Sequence, residues 1–269
     1  VISPEAAVAA CTRATEHHAS GGTEWPDAIH HTIRSLLDRL AAAKGLPPTG
    51  LKYPANAAAE TALDTMGRLE GWHVLDIGEI HQRLLELTPS RREDGCVTAH
   101  RKSLGKRADL GAWYTPPEIA EAMCRLSIGP HLDRLAQDSH PGAMFDVLAI
   151  DPACGAGVFL VEAARLIAGR IAARVSGAGP APRNHVRAAL PVVMKECVFG
   201  VDIDPVAVDM AKTALWLEIE GRAPFTFMDR NIVVGDALQL DQPPAYTERC
   251  GDPATAEDRR NFCLTVPAA

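Results

Sequence analysis

The chain has 269 residues, 47% hydrophobic and 23% charged, which is the make-up of a soluble globular protein with room for one large or two modest domains. No apolar run reaches the ~18 residues that span a bilayer, and no signal-peptide pattern opens the sequence, so a cytoplasmic protein without a membrane partner is expected. A net charge of −7 argues against a surface that grips nucleic acid all over, and seven scattered cysteines without a C-x-x-C pair predict neither a zinc site nor a disulfide framework.

Residues 1–90 read as a helical N-terminal domain with short breaks. Ile29, Ile33, Leu36, Leu37 and Leu40 form one apolar stripe, stopped by Lys44-Gly45-Leu46-Pro47-Pro48. A second stripe runs through Ile77, Ile80, Leu84 and Leu87 and ends at Thr88-Pro89. The pairs His17-His18 and His30-His31 look metal-like at first glance. Neighbouring residues point to different helix faces, however, so solvent-facing histidines are expected. Residues 91–110 read as a charged, basic linker. Within it Arg101-Lys102-Ser103-Leu104-Gly105-Lys106-Arg107 carries four positive charges in seven residues.

From Gly111 strand and helix signals alternate, the mark of an α/β domain with a parallel sheet. Gly111-Ala112-Trp113-Tyr114-Thr115-Pro116-Pro117-Glu118 predicts a helix capped by the Thr115/Glu118 box with Pro116 at its first position, burying Ile119, Met123 and Leu126. The apolar run from Ala143 to Ile150 predicts the first strand. Asp151-Pro152-Ala153-Cys154-Gly155-Ala156-Gly157-Val158-Phe159-Leu160 then turns into a helix whose buried face is Leu160, Ala163, Ala164, Ile167 and Ile171. The stretch from Val175 to Pro191, rich in glycine and proline, predicts a loop. A second strand, Cys197 to Val201, leads to Asp202-Ile203-Asp204-Pro205. The helix after it should be capped by Asp204 and bury Ala207, Met210, Ala211, Ala214 and Leu217. A third strand, Asn231 to Val234, closes on Gly235-Asp236-Ala237-Leu238. The core thus covers residues 111–241, and 242–269 reads as an irregular tail.

Three of these strands end in an acid, where open α/β sheets bind ligands. Gly155 and Gly157 let the backbone turn tightly and approach a small molecule. A dinucleotide fingerprint needs a third glycine where Leu160 stands, and a P-loop needs Gly-Lys-Ser/Thr, which is absent. An acid ahead of the glycines suits a ligand with a positive amine and would repel a pyrophosphate. S-adenosylmethionine has such an amine. Asp202 is placed to accept ribose hydroxyls, Ile203 to lie against a base, and Asp236 to accept an adenine amine.

The ordered set Gly-Ala-Trp-Tyr-Thr-Pro-Pro, Asp-Pro-Ala-Cys-Gly-Ala-Gly-Val-Phe-Leu, Phe-Gly-Val-Asp-Ile-Asp-Pro and Val-Gly-Asp-Ala-Leu resembles the N6-adenine DNA methyltransferases. The likeness is greatest to large modification subunits and restriction–methylation fusions, and covers about residues 72–240, including the helix-like run Asp76 to Leu87. The resemblance implies a class I, Rossmann-like methyltransferase sheet binding S-adenosylmethionine, without a metal, in a restriction–modification or phage-defence system. It implies that Tyr114, Thr115 and Pro116 shape the methionine end of the site and that Asp151, Gly155 and Gly157 hold the amine and backbone. Asp202 and Ile203 would take the ribose and adenine, and Asp236 the adenine amine. Pro152, Phe159 and Ala237 complete the cofactor-binding set. Arg101, Lys102, Lys106 and Arg107 become candidate DNA-backbone contacts.

The sequence departs from that family at one decisive point. The catalytic Asn/Asp-Pro-Pro-Tyr/Phe, whose ring stacks on a flipped base, is absent. Gln242-Pro243-Pro244-Ala245-Tyr246 is the nearest string, with Gln and Ala in place of the expected residues and no strand ahead of it. No catalytic residue is therefore assigned. Half of the sheet and any target-recognition domain are also missing, which predicts an apolar sheet edge at the first strand. A longer chain truncated here, a split enzyme completed by a partner chain, and an inactive cofactor-binding remnant are the three expectations. The alternatives in function are a non-catalytic S-adenosylmethionine-binding or assembly module, and methylation of RNA or protein on the same fold.

Overall fold

A computed structural model describes residues 3–101, 115–137, 142–177 and 181–238. The chain divides into two compact units, Val1–Tyr114 and Thr115–Ala269. Among the described residues no helix is long and apolar enough to cross a membrane.

The first unit holds four helices: α1 (Pro4–Ser20), α2 (Trp25–Ala43), α3 (Ala57–Asp64) and α4 (Val74–Leu85). Ser3 caps α1 by accepting the Ala6 N–H, and Asn56 caps α3 by accepting that of Ala59. The stripe Ile29, Ile33, Leu36, Leu37 and Leu40 on α2 is buried, as its spacing predicts. The histidine pairs differ from expectation. His17 is exposed, but His18 is buried and its ring meets that of His31 edge-on, with centroids 5.3 Å apart. Adjacent residues do face different ways, and that sends the second of the first pair inward.

Residues 87–101 also differ from expectation. Rather than opening a linker, they form an antiparallel hairpin of β1 (Leu87–Arg91) and β2 (Val97–Arg101), with Leu87 opposite Arg101. Only Val97 is buried, so a hydrophobic pattern could not reveal the hairpin. Polar contacts hold it instead. The Val97 N–H donates to Ser20 Oγ at 2.9 Å, the Ala99 N–H to Glu16 at 2.7 Å, and Arg91 to the Ala19 carbonyl at 3.1 Å.

The second unit is mixed α/β. It contains α5 (Pro117–Ser127), α6 (Gly129–Leu135), β3 (Ala149–Asp151), α7 (Val158–Ser176), α8 (Arg183–Cys197), β4 (Val198–Asp202), α9 (Pro205–Glu218) and β5 (Ile232–Val234). The three strands form a parallel sheet in the order β3-β4-β5, with Asp151 opposite Gly200 and Asp202 opposite Val234. Parallel neighbours require crossovers, supplied by α7 with α8 and then by α9. The predicted buried face of α7 is buried throughout. On α9, Leu215 and Trp216 are buried in place of Ala214 and Leu217, which are half-buried.

Four expectations fail in this unit. The apolar run from Ala143 becomes a 3-10 turn over Ala143–Asp146, and the strand begins only at Ala149. Phe145 is fully buried and its carbonyl accepts from Cys197 Sγ at 3.6 Å, so the apolar character serves packing against α8. The expected loop up to Pro191 is instead mostly α8. Pro191 lies inside that helix, whose buried Ala189, Leu190, Val193 and Met194 override the proline signal. Finally, the Thr115/Glu118 capping box does not form. Pro117 forces Pro116 into an extended conformation (φ −55°, ψ 140°), so α5 starts one residue late with no side-chain cap. Helix α5 buries Ala120 and Cys124, while Ile119, Met123 and Leu126 are 52, 51 and 80% exposed.

Candidate functional site

At the carboxyl ends of β3 and β4 the backbone supplies two acids and a glycine turn. Residues 152–157 leave β3, and the turn is fastened from below by the Cys154 N–H donating to the Val201 carbonyl at 2.9 Å. Gly155 (φ +52°) and Gly157 (φ +84°) adopt left-handed conformations that favour glycine. They serve different ends. A Cβ on Gly157 would stand 2.9 Å from Ala211 Cα, so this glycine lets α7 begin directly against α9. A Cβ on Gly155 would meet nothing within 4 Å, which leaves open room above the turn.

Asp202 connects the strands to that turn. It accepts the Gly155 N–H at 2.8 Å and the Asp204 N–H at 2.9 Å, while its own carbonyl accepts from Gly235 at 2.9 Å. Asp204 caps α9 through the Val206 N–H, which leaves Asp202 to hold the turn. Asp151 accepts one hydrogen bond, from Ala153 at 3.1 Å. Burial raises its pKa above the ordinary carboxylate value and the nearby Asp202 charge adds to this, against the opposing Ala153 N–H. A partly buried acid beside a second acid, with open space above, favours a cationic ligand.

The other predicted positions are distributed as follows. Pro152 is exposed, and Phe159 is half-buried in the first turn of α7. Ile203 is 73% exposed, just beyond Asp202, and Val234 is 55% exposed at the end of β5. Asp236 is half-buried and accepts the Leu238 N–H at 2.9 Å, with Ala237 exposed beside it. Thr115 and Pro116 precede α5, which meets the first turn of α7 where Cys124 Sγ donates to the Phe159 carbonyl at 3.7 Å. Tyr114, Lys102, Lys106, Arg107 and the Gln242 to Tyr246 string lie outside the described residues. Arg101 ends β2 in the first unit and pairs with Glu86 at 3.5 Å. Among the described residues no three His, Cys, Asp or Glu side chains converge to hold a metal ion.

Three supporting residues carry no role assigned from the sequence. Gly200 on β4 leaves room for Leu160 and Cys154, since a Cβ there would lie 2.8 Å from Leu160 Cδ1. Asn231 is buried and its Nδ2 donates to the carbonyls of Met194, Lys195 and Val198 at 2.9–3.0 Å, fixing the end of α8 to the sheet. Cys124 is buried, its thiol pushed up to about 11 by desolvation and by the charges of Glu162 and Asp151. The glycine inside a strand was a usable signal for close approach; the other two had none.

Residues 141–224 match the model of the RMKL-like methyltransferase domain, a stretch that takes in both acids and the glycine turn. Over 209 residues the chain is 22% identical to a protein of Methanocaldococcus jannaschii named as a type II restriction enzyme and methyltransferase. The alignment takes in 65% of this chain but only 16% of that protein's length. Part of the mixed α/β unit is therefore similar to a methyltransferase domain. Domains of this kind generally take their methyl group from S-adenosylmethionine.

Proposed function

We propose that this chain is the S-adenosylmethionine-binding part of a class I, Rossmann-like DNA methyltransferase acting on the N6 amine of adenine, in a restriction–modification or phage-defence system. The observation that carries this reading is the convergence of Asp151 and Asp202 on the open glycine turn. Asp151 would hold the donor's ammonium, whose charge offsets the cost of the buried carboxylate. Asp202, already oriented by two backbone N–H groups, would accept ribose hydroxyls, with Ile203 and Val234 offering apolar surface to the base. Asp236 would accept the adenine amine, and Gly155 leaves room for the ligand's backbone. When bound, the cofactor supplies an activated methyl group. Arg101, Lys102, Lys106 and Arg107 would contact DNA phosphates.

Delivery of that methyl group requires parts this sequence lacks. The Asn/Asp-Pro-Pro-Tyr/Phe motif is absent, and β3 stands at the sheet edge beside the exposed Leu148 and Ile150. A further region, in the same polypeptide or a partner chain, would cover that edge and bring the catalytic strand and target recognition. Calorimetry with S-adenosylmethionine tests the first half of the proposal. Binding by the full chain and its loss in Asp202→Ala support it, whereas unchanged affinity in the variant overturns the assignment. Incubation of the chain alone with an adenine-containing duplex tests the second half. Methylation there would show that the catalytic strand is not missing.

A further inference from the structure

The first unit contains a pair of contacting histidines, one buried and one half-buried, that the cofactor site does not use. His18 on α1 is 2% exposed, and its ring lies edge-on to that of the half-buried His31 on α2 at 5.3 Å and 64°. His18 Nε2 and His31 Nδ1 are both buried with no hydrogen-bond partner. Beside the pair, the same two helices are joined by the Thr15 and Thr32 hydroxyls at 2.9 Å, one donating to the other while the other donates to a carbonyl of its own helix. The largely apolar seam between α1 and α2 is thus interrupted by polar side chains at these positions, which tolerate the imidazoles only while both stay neutral.

Of the surrounding charges, Asp27 favours a proton on His31 and Glu60 one on His18, but burial outweighs both. The groups whose fields reach the pair are His17 on α1, Asp27, His30 and Arg34 on α2, and Glu60 on α3. Glu60 is held by Arg39 at 2.7 Å and Ser35 at 2.8 Å, and Asp27 is largely exposed beside His30 at 4.0 Å. A protonated ring would therefore be a cation without an acceptor, facing a second imidazole. Burial is the largest influence lowering both pKa values, and on His18 the neighbouring ring adds to it.

We propose that His18 and His31 form an acid-sensitive latch: uptake of a proton by the pair opens the α1–α2 seam and loosens the first unit. The sign follows from linkage. Groups whose folded pKa lies below the unfolded value near 6.5 contribute stability that is complete above that value. It is lost as the pH falls through that value toward the lower folded one. The test is amide hydrogen exchange on the full chain at about pH 7.5 and about pH 5, corrected for intrinsic exchange chemistry. Exchange in peptides spanning 11–20 and 28–37 should speed up about tenfold or more, the factor for one extra proton taken up by the open form over one pH unit. His18→Phe with His31→Phe keeps both rings at the contact and cannot charge, so it should lose most of that acceleration. Equal rates at both pH values, or a variant that accelerates as the natural chain does, overturn the proposal. Should that variant not fold, ring titration by NMR on the natural chain decides. Both rings must stay neutral below the free-histidine value, and a ring that titrates at or above it rules the latch out.

Discussion

Asp151 and Asp202 end adjacent strands yet are held differently, and the difference predicts how each behaves when neutralised. Asp202 receives two backbone N–H bonds and is part of the architecture, whereas Asp151 receives one and is raised in pKa by burial and its neighbour's charge. A carboxyl whose folded pKa lies above its unfolded value contributes stability at low pH that is lost as the pH rises through the folded value. At neutral pH the ionised Asp151 therefore costs the unliganded chain stability. Asp151→Asn should raise the melting temperature at about pH 7.5, with the advantage shrinking toward about pH 4. The same change should weaken S-adenosylmethionine binding about tenfold or more, since a hydrogen bond to a charged group is worth ~1.5–3 kcal/mol. Thermal melts and calorimetry on the one variant check both. A stabilised variant with unaltered affinity would remove Asp151 from the ammonium site.

At the level of elements, the glycine turn divides its work between two residues that look equivalent in sequence. Both have positive φ, so alanine at either carries a backbone cost of ~1–3 kcal/mol. Only at Gly157 does the new Cβ also meet main chain, 2.9 Å from Ala211 Cα, where α7 and α9 would have to part. Gly157→Ala should thus lose clearly more stability in urea melts than Gly155→Ala. Gly155→Ala should show its larger effect in cofactor affinity, because its Cβ fills the open space above the turn.

This distinction also marks what sequence can reveal. The acids, the glycines and the α7 stripe are legible because each depends on local spacing and turn chemistry. Helix α8 is not, since its glycine- and proline-rich approach and Pro191 send the opposite local signal, and burial of Leu190, Val193 and Met194 decides the matter. The β1–β2 hairpin is illegible for a related reason. Its stability comes from Ser20, Glu16 and the Arg91–Ala19 contact, partners about 70 to 80 residues away in sequence. The bonds made by Asn231 are likewise tertiary, joining a strand end to a helix end about 35 residues earlier.

At the scale of the second unit, the exposed apolar side chains fall into two groups with different meanings. Ile203, Val234 and Leu238 follow or end strands at the carboxyl edge of the sheet, around the proposed cofactor. Ile119, Met123 and Leu126 on α5 are the second group, with Leu148 and Ile150 at the edge strand β3. A groove of about 480 Å³ runs between these two elements, lined by Cys124, Ile128, Leu148, Ile150 and Phe159. Soluble proteins protect such edges, and exposed apolar patches mark contact surfaces. The expected buried stripe on α5 is therefore mistaken about the described residues but informative about the proposed complete domain. Periodicity identifies a face that must be covered without saying which element covers it. If the region carrying the catalytic strand is what covers it, Met123→Lys with Leu126→Lys should leave S-adenosylmethionine affinity within about twofold, because these side chains are 51 and 80% exposed and neither lines the groove that reaches Asp151. The same double variant should prevent a catalytic-strand fragment, added in trans, from restoring adenine methylation. Restored methylation at the natural level would place the completing region on another face.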